Sequence, residues 1–203
     1  MNGWQASVEE LNLCHLKITK ISNLDSFSGL RKLSLLDNKL VTISGLDKLT
    51  FLEELSLEKN KLTTIQNIEG LKYLKKLDLG SNKIKRIQNL SSLSSLAQLS
   101  LENNEISRLD GVEDLQFLME LYLGNNLIAD IREIVKLKDL PRLIILDISC
   151  NPGANSQSNR VYCIFHLRKL RVLDGISIDP QEHLEAKETF SGRLTEEIMS
   201  SRL

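Results

Sequence analysis

One 22-residue pattern runs through most of this chain and limits its possible folds more than any other feature. The pattern is L-x-x-L-x-L-x-x-N-x-L-x-x-I-x-x-L-x-x-L, and its first leucine is called position 1. Seven positions are apolar by pattern, and all 42 of them in the first six repeats are apolar, although only 41% of the chain is hydrophobic. Such regularity predicts stacked repeats, each packed mainly against its neighbours. The repeats begin at Val8, Leu30, Leu52, Leu74, Leu96, Leu118 and, after three extra residues, Leu143.

The spacing of apolar residues inside a repeat predicts its shape. Leu77 and Leu79 are two residues apart and therefore share one face of an extended strand. Ile84, Ile87 and Leu90 recur every three residues, which indicates 3₁₀ or similarly tight turns. We therefore predict an α/β leucine-rich-repeat solenoid. It is a curved right-handed superhelix with a parallel β-sheet on its concave face, 3₁₀ or irregular arms on its convex face and a carboxyl-terminal cap.

A recurring asparagine at position 9 has a predicted structural role. The chain leaves the strand at this position, so its buried backbone N–H and C=O groups need partners. An asparagine amide both donates and accepts hydrogen bonds, and neighbouring repeats can share it as a ladder. We interpret this ladder as structural rather than as a binding site. In the first repeat Leu16 takes the position, and the ladder consists of Asn38, Asn60, Asn82, Asn104, Asn126 and Asn151.

The two ends of the array differ. Before the first repeat there is only a short lead-in, so we expect either that Trp4 folds over the exposed edge strand or that upstream repeats of a longer array cover it. The protein is accordingly expected to be a monomer or one array of a larger chain. Four segments are predicted: a lead-in at 1–7, seven repeats at 8–151, a cap at 152–178 and a helical tail at 179–203.

The carboxyl-terminal segments contain signals for a helical closure. Asp179 and Glu182 form a capping box around Pro180, which predicts a helix start. We expect Gly192 to interrupt this helix and Thr195 to begin a short final one. Apolar side chains expected to close the last repeat are Tyr162, Ile164, Leu167, Leu170 and Leu173.

Charge and cysteine usage narrow the kind of partner. The chain has 26 basic and 27 acidic residues, a net charge of −1, which argues against direct binding to nucleic acid or to an anionic membrane. No apolar run reaches the roughly 18–20 residues of a membrane span, and we find no signal peptide.

Cys14 and Cys150 lie six repeats apart and cannot meet. With Cys163 they are expected to be free thiols in a reducing compartment, the cytoplasm or the nucleus.

Nothing in the sequence predicts catalysis. His15, His166 and His183 lie at or beyond the ends of the array. Cys163 and His166 are three residues apart, but no third ligand or orienting acid accompanies them. We expect no catalytic, cofactor or metal site and therefore not an enzyme.

The predicted concave face is the place where a partner would bind. Positions 3, 5, 7 and 8 point outward there. Position 3 alternates in charge from Glu10 through Lys32 to Glu54, which indicates a structural ion-pair ladder. Tyr122 is the one aromatic residue among these positions, and we expect Gly124 to leave room over its ring. The alternative is an incidental surface tyrosine. The candidate protein-binding residues are Tyr122, Glu58, Asp78, Glu102, Leu36 and Asp147.

The repeat form N-x-[IL]-x-x-[IL] and the cap NP…VYCIFHLRKLRVLDG resemble an intracellular leucine-rich-repeat class. That class includes the nuclear regulatory subunit of protein phosphatase 1, the spliceosomal A-prime protein and axonemal dynein light chains. The tail AKETFSGRLTEEIM is similar to that of long multi-array members associated with ciliated cells. The resemblance implies a non-enzymatic scaffold that binds an unidentified protein partner, in a ciliary, axonemal or cytoskeletal complex. Its alternative is a phosphatase 1 regulator using Glu58, Asp78, Glu102 and Tyr122.

Overall fold

A computed structural model describes the backbone of residues 3–154 and 157–200 and the side chains of residues 4–154 and 158–191. Each repeat contributes one strand of three residues, and strands consecutive in the chain are neighbours in one parallel sheet. The seven strands are β1 Glu10–Asn12, β2 Lys32–Ser34, β3 Glu54–Ser56, β4 Lys76–Asp78, β5 Gln98–Ser100, β6 Glu120–Tyr122 and β7 Ile145–Asp147.

The register of the sheet stacks equivalent leucines on one another. Leu55 pairs with Leu77 and Leu77 with Leu99, so the middle residue of every strand points into the stack. A single hydrophobic core runs from Ile21 to Leu173 beneath the sheet. Each fully buried leucine or isoleucine contributes roughly 1.5–3 kcal/mol, so leucine burial holds the repeats together. The predicted α/β leucine-rich-repeat solenoid, with its sheet on the concave face, is confirmed.

The return arms on the convex face are built from tight turns. In the second repeat the N–H of Leu49 donates to the Leu46 carbonyl, and the N–H of Leu52 to the Leu49 carbonyl, at 2.9 and 3.1 Å. These bonds span three residues, as the three-residue apolar spacing predicts. The sixth repeat is three residues longer, and there the arm forms a 3₁₀ helix, Ile131–Leu137, started by the Asp130 side chain.

Two positions in each repeat reverse the chain through left-handed backbone. All seven residues at position 8 have φ between 52° and 61°, and none is a glycine. Position 16 is left-handed in the first five repeats and is an asparagine in three of them and a glycine in two. Here Asn67 donates to the Ile43 carbonyl at 2.7 Å. At the equivalent Gly111 a Cβ would lie 2.2 Å from the Ile87 carbonyl oxygen, so the backbones are too close for any side chain.

The first repeat is less well covered than the others. A 3₁₀ turn, Gly3–Ser7, precedes it, and the Trp4 ring meets Phe27 edge-on at 6.3 Å. Trp4 nevertheless stays 59% exposed, so it does not bury the edge of the array. Leu11 and Leu13 are only partly buried, whereas their equivalents in the next repeat are fully buried.

A cap of two helices and two short strands closes the other end. α1, Gln157–His166, packs beside the 3₁₀ helix, and β8, Val172–Leu173, adds to β7 in parallel. β9, Ile176–Ser177, then pairs with β8 in an antiparallel arrangement. Below them Leu167, Leu170 and Leu173 are buried.

The tail forms one helix, α2, Pro180–Ser200. Its capping box is reciprocal: Asp179 accepts from the Gln181 N–H at 2.8 Å, and Glu182 accepts from the Asp179 N–H at 2.9 Å. The expected break at Gly192 and restart at Thr195 are wrong, because one glycine costs a helix only about 1 kcal/mol. Residues 201–203 and the first two residues of the lead-in lie outside the described part. No helix in the described ranges has the length and apolar character needed to cross a membrane.

Candidate protein-binding surface

The position-9 asparagines are fully engaged inside the stack. Asn82 donates to the carbonyls of Leu57, Leu79 and Gly80 at 3.0–3.1 Å and accepts from the Leu62 N–H at 2.9 Å. All six ladder asparagines are buried, with at most 9% of their surface exposed. Because their polar atoms are already paired across repeats, these residues hold the backbone and are not available to a partner.

An open groove of about 490 Å³ runs along the concave face from β1 to β5. Position 3 supplies charged side chains of alternating sign along it. The Lys32 ammonium lies 3.2 Å from Glu10 and 3.7 Å from Glu54. The hydrogen bond and the charge of Glu10 raise the pKa of Lys32. The side chains that form these ion pairs, to which the sequence assigns a structural role, therefore also line this groove.

Carboxylates gather next to this groove around Gly80. A Cβ at Gly80 would lie 3.3 Å from Asp78 Oδ1 and 3.4 Å from Glu58 Cγ. The Gly80 N–H donates to Asp78 Oδ1 at 3.0 Å, which fixes that carboxylate at the end of its strand. Burial raises the pKa of Asp78, and the charge of Glu58 raises it further. The missing side chain at Gly80 thus leaves room for the side chains of Asp78 and Glu58.

The acidic surface continues toward the cap. Burial raises the pKa of Glu102, and the nearby charge of Asp147 adds to this shift. Ser100 Oγ donates to Glu102 at 3.3 Å, and Asp147 accepts from the Ser149 N–H at 2.8 Å. Glu102 and Asp147 therefore belong to the same electrostatic group as the carboxylates at Gly80.

Tyr122 lies on β6 between these acids and is half-buried. Its hydroxyl donates to Glu120 Oε2 at 2.9 Å. Burial, with a smaller contribution from Glu120, raises the pKa of Tyr122 to about 12. The expected space over its ring is wrong: a Cβ at Gly124 would meet Asp147 Oδ2 at 3.2 Å and Ser149 Oγ at 3.3 Å. Position 7 faces the next repeat, so Gly124 makes room for Asp147.

The six sequence-derived candidates lie at positions 5 and 7 of six consecutive repeats, and we call this set the concave surface. Leu36 is half-buried and stands one strand before Glu58 at the same repeat position. At roughly 4.8 Å per strand, Leu36 and Tyr122 are about 19 Å apart. An extended segment of about six residues would span that distance. The concave surface comprises Leu36, Glu58, Asp78, Glu102, Tyr122 and Asp147.

Sequence reasoning missed exposed aromatic residues at position 22, where the return arm turns into the next strand. Phe51 and Tyr73 stack with ring centroids 5.9 Å apart and remain 52% and 56% exposed. At the same position Phe117 lies under the guanidinium of Arg142, which is 4.4 Å from the ring centroid. The available signal was the recurrence of an aromatic residue at position 22 in three repeats.

The remaining residues considered for chemistry are Cys163 and His166, and each of them packs against a different part of the cap. Cys163 is buried in the core, and burial raises the pKa of its thiol to about 12. His166 instead packs against Tyr162, with ring centroids 4.4 Å apart, and burial lowers its pKa. Cys14 and Cys150 are free thiols, as is Cys163. Across the part of the chain that the structure describes, no three His, Cys, Asp or Glu side chains are placed to hold a metal ion.

Because the pKa of Asp78 is raised in the folded protein, replacing its carboxylate by a neutral side chain is expected to increase stability, by an amount that depends on pH. The folded protein keeps this proton to a higher pH than the unfolded chain, so the stability it contributes is complete below the unfolded pKa of about 4. That contribution disappears as pH rises through the folded pKa. Asp78→Asn keeps the acceptor for the Gly80 N–H. We therefore expect the variant to melt above the natural protein at pH 7, with a gain that vanishes below about pH 4.

Thermal melts between pH 3 and pH 8 test this prediction. Asp47→Asn is the matched control, because Asp47 is exposed and forms no ion pair within the described residues. A gain in melting temperature for Asp78→Asn that stayed constant with pH would show that burial of the charged carboxylate and its repulsion by Glu58 are not the cause.

Comparison with known proteins places this geometry in a family. The profile of the leucine-rich repeat family matches residues 52–201. Internalin C2 from Listeria monocytogenes is 25% identical, with a TM-score of 0.63 over 83% of this chain and 81% of that chain. A leucine-rich repeat protein of Leptospira interrogans is also 25% identical, with a TM-score of 0.59 over 84% of this chain and 55% of that chain.

A chain of the Drosophila melanogaster SNF/U2A′ complex is similar over 99% of this chain and 98% of that chain, with a TM-score of 0.52. At 19% identity this likeness shows the fold alone. The leucine-rich repeat fold generally serves protein–protein interaction. The profile match over residues 52–201 together with the parallel repeat strands shows that this chain belongs to the leucine-rich repeat family.

Proposed function

We propose that this protein is a non-enzymatic scaffold that binds a partner protein through the concave surface. The observation that carries this proposal is a set of three carboxylates beside Tyr122 that lack an ion pair, whereas the neighbouring Glu58 is paired with Lys59 at 3.3 Å. Asp78, Glu102 and Asp147 form no ion pair within the described residues, and burial raises the pKa of the first two. A basic partner segment would neutralise these charges and offset part of their repulsion.

Tyr122 is proposed as the anchor of this interface. Its ring offers a large, rigid contact area, and its hydroxyl is already oriented by Glu120. Tyrosine is enriched among the few interface residues that carry most of the binding energy. Leu36 extends the surface with an apolar contact at the far end. A basic or amide-rich segment lying across β2 to β7 would meet all of these groups.

The cellular setting is proposed from resemblance. The cap and tail resemble leucine-rich repeat-containing protein 9, which supports a ciliary, axonemal or cytoskeletal complex in the cytoplasm. The fold shared with a chain of the SNF/U2A′ complex supports a protein partner. The nucleus is the alternative location. Imaging of the tagged protein in ciliated cells distinguishes the two, since accumulation in the nucleus would contradict an axonemal scaffold.

A second candidate function is regulation of protein phosphatase 1. The observation that favours it is the side-by-side placement of acidic residues and Tyr122, which matches the surface implied by the resemblance. Purified phosphatase 1 catalytic subunit provides the test. Capture by the natural protein but not by a Glu102→Gln, Tyr122→Ala double variant would support this candidate, and no capture would remove it.

Replacing the anchor is expected to weaken partner capture strongly. Loss of a good interface anchor costs roughly 2 kcal/mol or more, which is about a thirtyfold loss of affinity. We therefore expect Tyr122→Ala to lower capture of partners from a ciliated-cell lysate, quantified by mass spectrometry. Folded-state stability should change by less than about 1 kcal/mol, because the ring is only half-buried.

Two matched variants sharpen this experiment. Tyr122→Phe keeps the ring but loses the bond to Glu120, so it should retain most of the binding. Lys48→Ala changes an exposed residue of a convex arm and should leave capture unaltered. If Lys48→Ala abolished capture while Tyr122→Ala did not, the partner would bind the return arms and the proposed surface would be wrong.

A further inference from the structure

A second groove lies in the cap, away from the concave surface. It has a volume of about 320 Å³ and lies between α1 and α2, at the end of α1 that leads toward β8. We call it the cap groove. Its lining consists of three apolar and three basic side chains, namely Ile164, Phe165, Leu184, Arg168, His183 and Lys187.

The contacts between the two helices fix the shape of the cap groove. Ala186 is buried between them, and the Phe165 and Phe190 rings stack at 4.9 Å. Arg160 binds Glu182 at 2.7 Å, which holds the first turn of α2 against α1. These contacts use one face of α2. The adjacent face therefore stays open, and Leu184 on it is 55% exposed.

The charged side chains of the cap groove are all basic. The groove is lined by Arg168, His183 and Lys187, and no acidic side chain is among its lining residues. None of the three forms an ion pair of 4 Å or less within the described residues. The Arg168 guanidinium is 5.9 Å from the Phe165 ring centroid, so it lies at the border between the apolar and basic parts. An apolar floor with basic sides is complementary to an apolar residue flanked by carboxylates.

We propose that the cap groove binds a short acidic segment of a partner protein. An apolar side chain of that segment enters between Phe165 and Leu184, and its flanking carboxylates pair with Arg168 and Lys187. The concave surface has the opposite charge and favours a basic segment. The two surfaces therefore select different segments, and the protein joins two partners or two parts of one partner.

A synthetic peptide tests the cap groove directly. The probe is a fluorescein-labelled ten-residue peptide with leucine and phenylalanine at its centre and aspartate and glutamate on both sides. Fluorescence anisotropy with the full chain should show saturable binding. A matched peptide with asparagine and glutamine in place of the acids should bind at least about tenfold more weakly, the effect of about 1.4 kcal/mol of charge pairing.

Variants separate the cap groove from general attraction to basic residues. Arg168→Glu with Lys187→Glu should weaken the acidic peptide at least about tenfold, and Leu184→Asn should weaken it severalfold. The control, Lys48→Glu with Lys72→Glu, reverses two exposed charges that form no ion pair within the described residues, and should change affinity less than twofold. Tyr122→Ala should also leave peptide affinity unchanged, which makes this result independent of the concave surface.

Three results would overturn the proposal. The first is no peptide binding at millimolar concentration, and the second is equal binding of the acidic and amide peptides. The third is an equal loss in the groove variant and in the Lys48, Lys72 control. Vesicles of phosphatidylserine that bind when the peptide does not would identify a lipid surface instead. Self-association that the acidic peptide does not compete with, but that the groove variant abolishes, would identify a second copy of the chain as the occupant.

Discussion

We expect a chain truncated after Asn151 to melt at least about 10 °C below the full chain, which corresponds to a loss of a few kcal/mol in a protein of this size. The cap buries Cys163, Leu167, Leu170 and Leu173 against the last repeat. Each such side chain contributes roughly 1.5–3 kcal/mol when fully buried. Removing residues 152–203 also leaves β7 without its parallel neighbour β8. The exposed edge and apolar surface should make the truncated chain associate.

Differential scanning calorimetry and analytical ultracentrifugation measure these two effects. A milder variant, Arg160→Ala, removes the ion pair with Glu182 and the bonds to the Leu173 and Ser177 carbonyls while keeping the cap itself. It should lower the melting temperature by less than the truncation does. A truncated chain that stayed monomeric at high concentration, with an unchanged melting temperature, would show that the cap is dispensable.

Asn82→Ala is expected to lower the free energy of unfolding by about 1–3 kcal/mol, because buried backbone groups would lose their partner. The Asn82 amide pairs with three carbonyls and one N–H, which come from its own repeat and from the preceding one. Alanine supplies none of these bonds, and the turn is too well buried for water to replace them freely. The bonds cross between repeats, so the loss affects stacking as well as the local turn.

Chemical denaturation of the variant measures this loss. Gln116→Ala is the control: Gln116 is an exposed amide with a single bond to the Glu113 carbonyl at 3.1 Å, and its loss should stay within about 0.5 kcal/mol. A loss of only a few tenths of a kcal/mol at Asn82 would mean that the ladder does not stabilise the stack.

The repeat architecture was predictable because two different spacings occur inside every repeat. Leu77 and Leu79 could only share a face in a strand, and Ile84, Ile87 and Leu90 required a tighter turn than an α-helix. The capping box at Asp179 likewise gave the start of α2. The predicted break at Gly192 was wrong because a single glycine lowers helix stability by only about 1 kcal/mol, which is too little to interrupt a long helix.

Features that depend on backbone conformation rather than on side-chain polarity were missed. Position 8 is left-handed in every repeat, yet it holds residues as different as His15, Lys59 and Cys150. The repeat stacking imposes that conformation, so residue type carries little signal. The exposed stack of Phe51 on Tyr73 depends in the same way on where the return arm turns. Position 22 lies outside the apolar pattern of the repeat, so the pattern does not show whether its side chain is exposed.

For the candidate surface, the repeat positions of the side chains were predictable from the sequence, but their burial and pKa shifts were not. Glu58, Asp78 and Glu102 fall in neighbouring repeats because the period places them there. Burial of Asp78 beside Gly80, and the placement of Gly124 against Asp147, depend on contacts between repeats. The cap groove lay further out of reach, since α1 and α2 meet through the Phe165–Phe190 stack across more than twenty residues of chain.

Because the early repeats have equal length, whole repeats can be duplicated or lost without a change in how their neighbours stack. Repeats two to five begin at Leu30, Leu52, Leu74 and Leu96, and the ladder asparagine of each donates through its side-chain nitrogen to the equivalent leucine carbonyl of the preceding repeat. Duplication or loss of one whole unit there would restore the hydrogen bonds of the asparagine ladder, so the sheet can gain or lose a strand without a change in the ladder of the remaining repeats. The longer sixth unit, with its own 3₁₀ helix, matches none of the others. Because α1 of the cap packs against that helix, exchange of the sixth unit for one of the others would remove a contact of the cap.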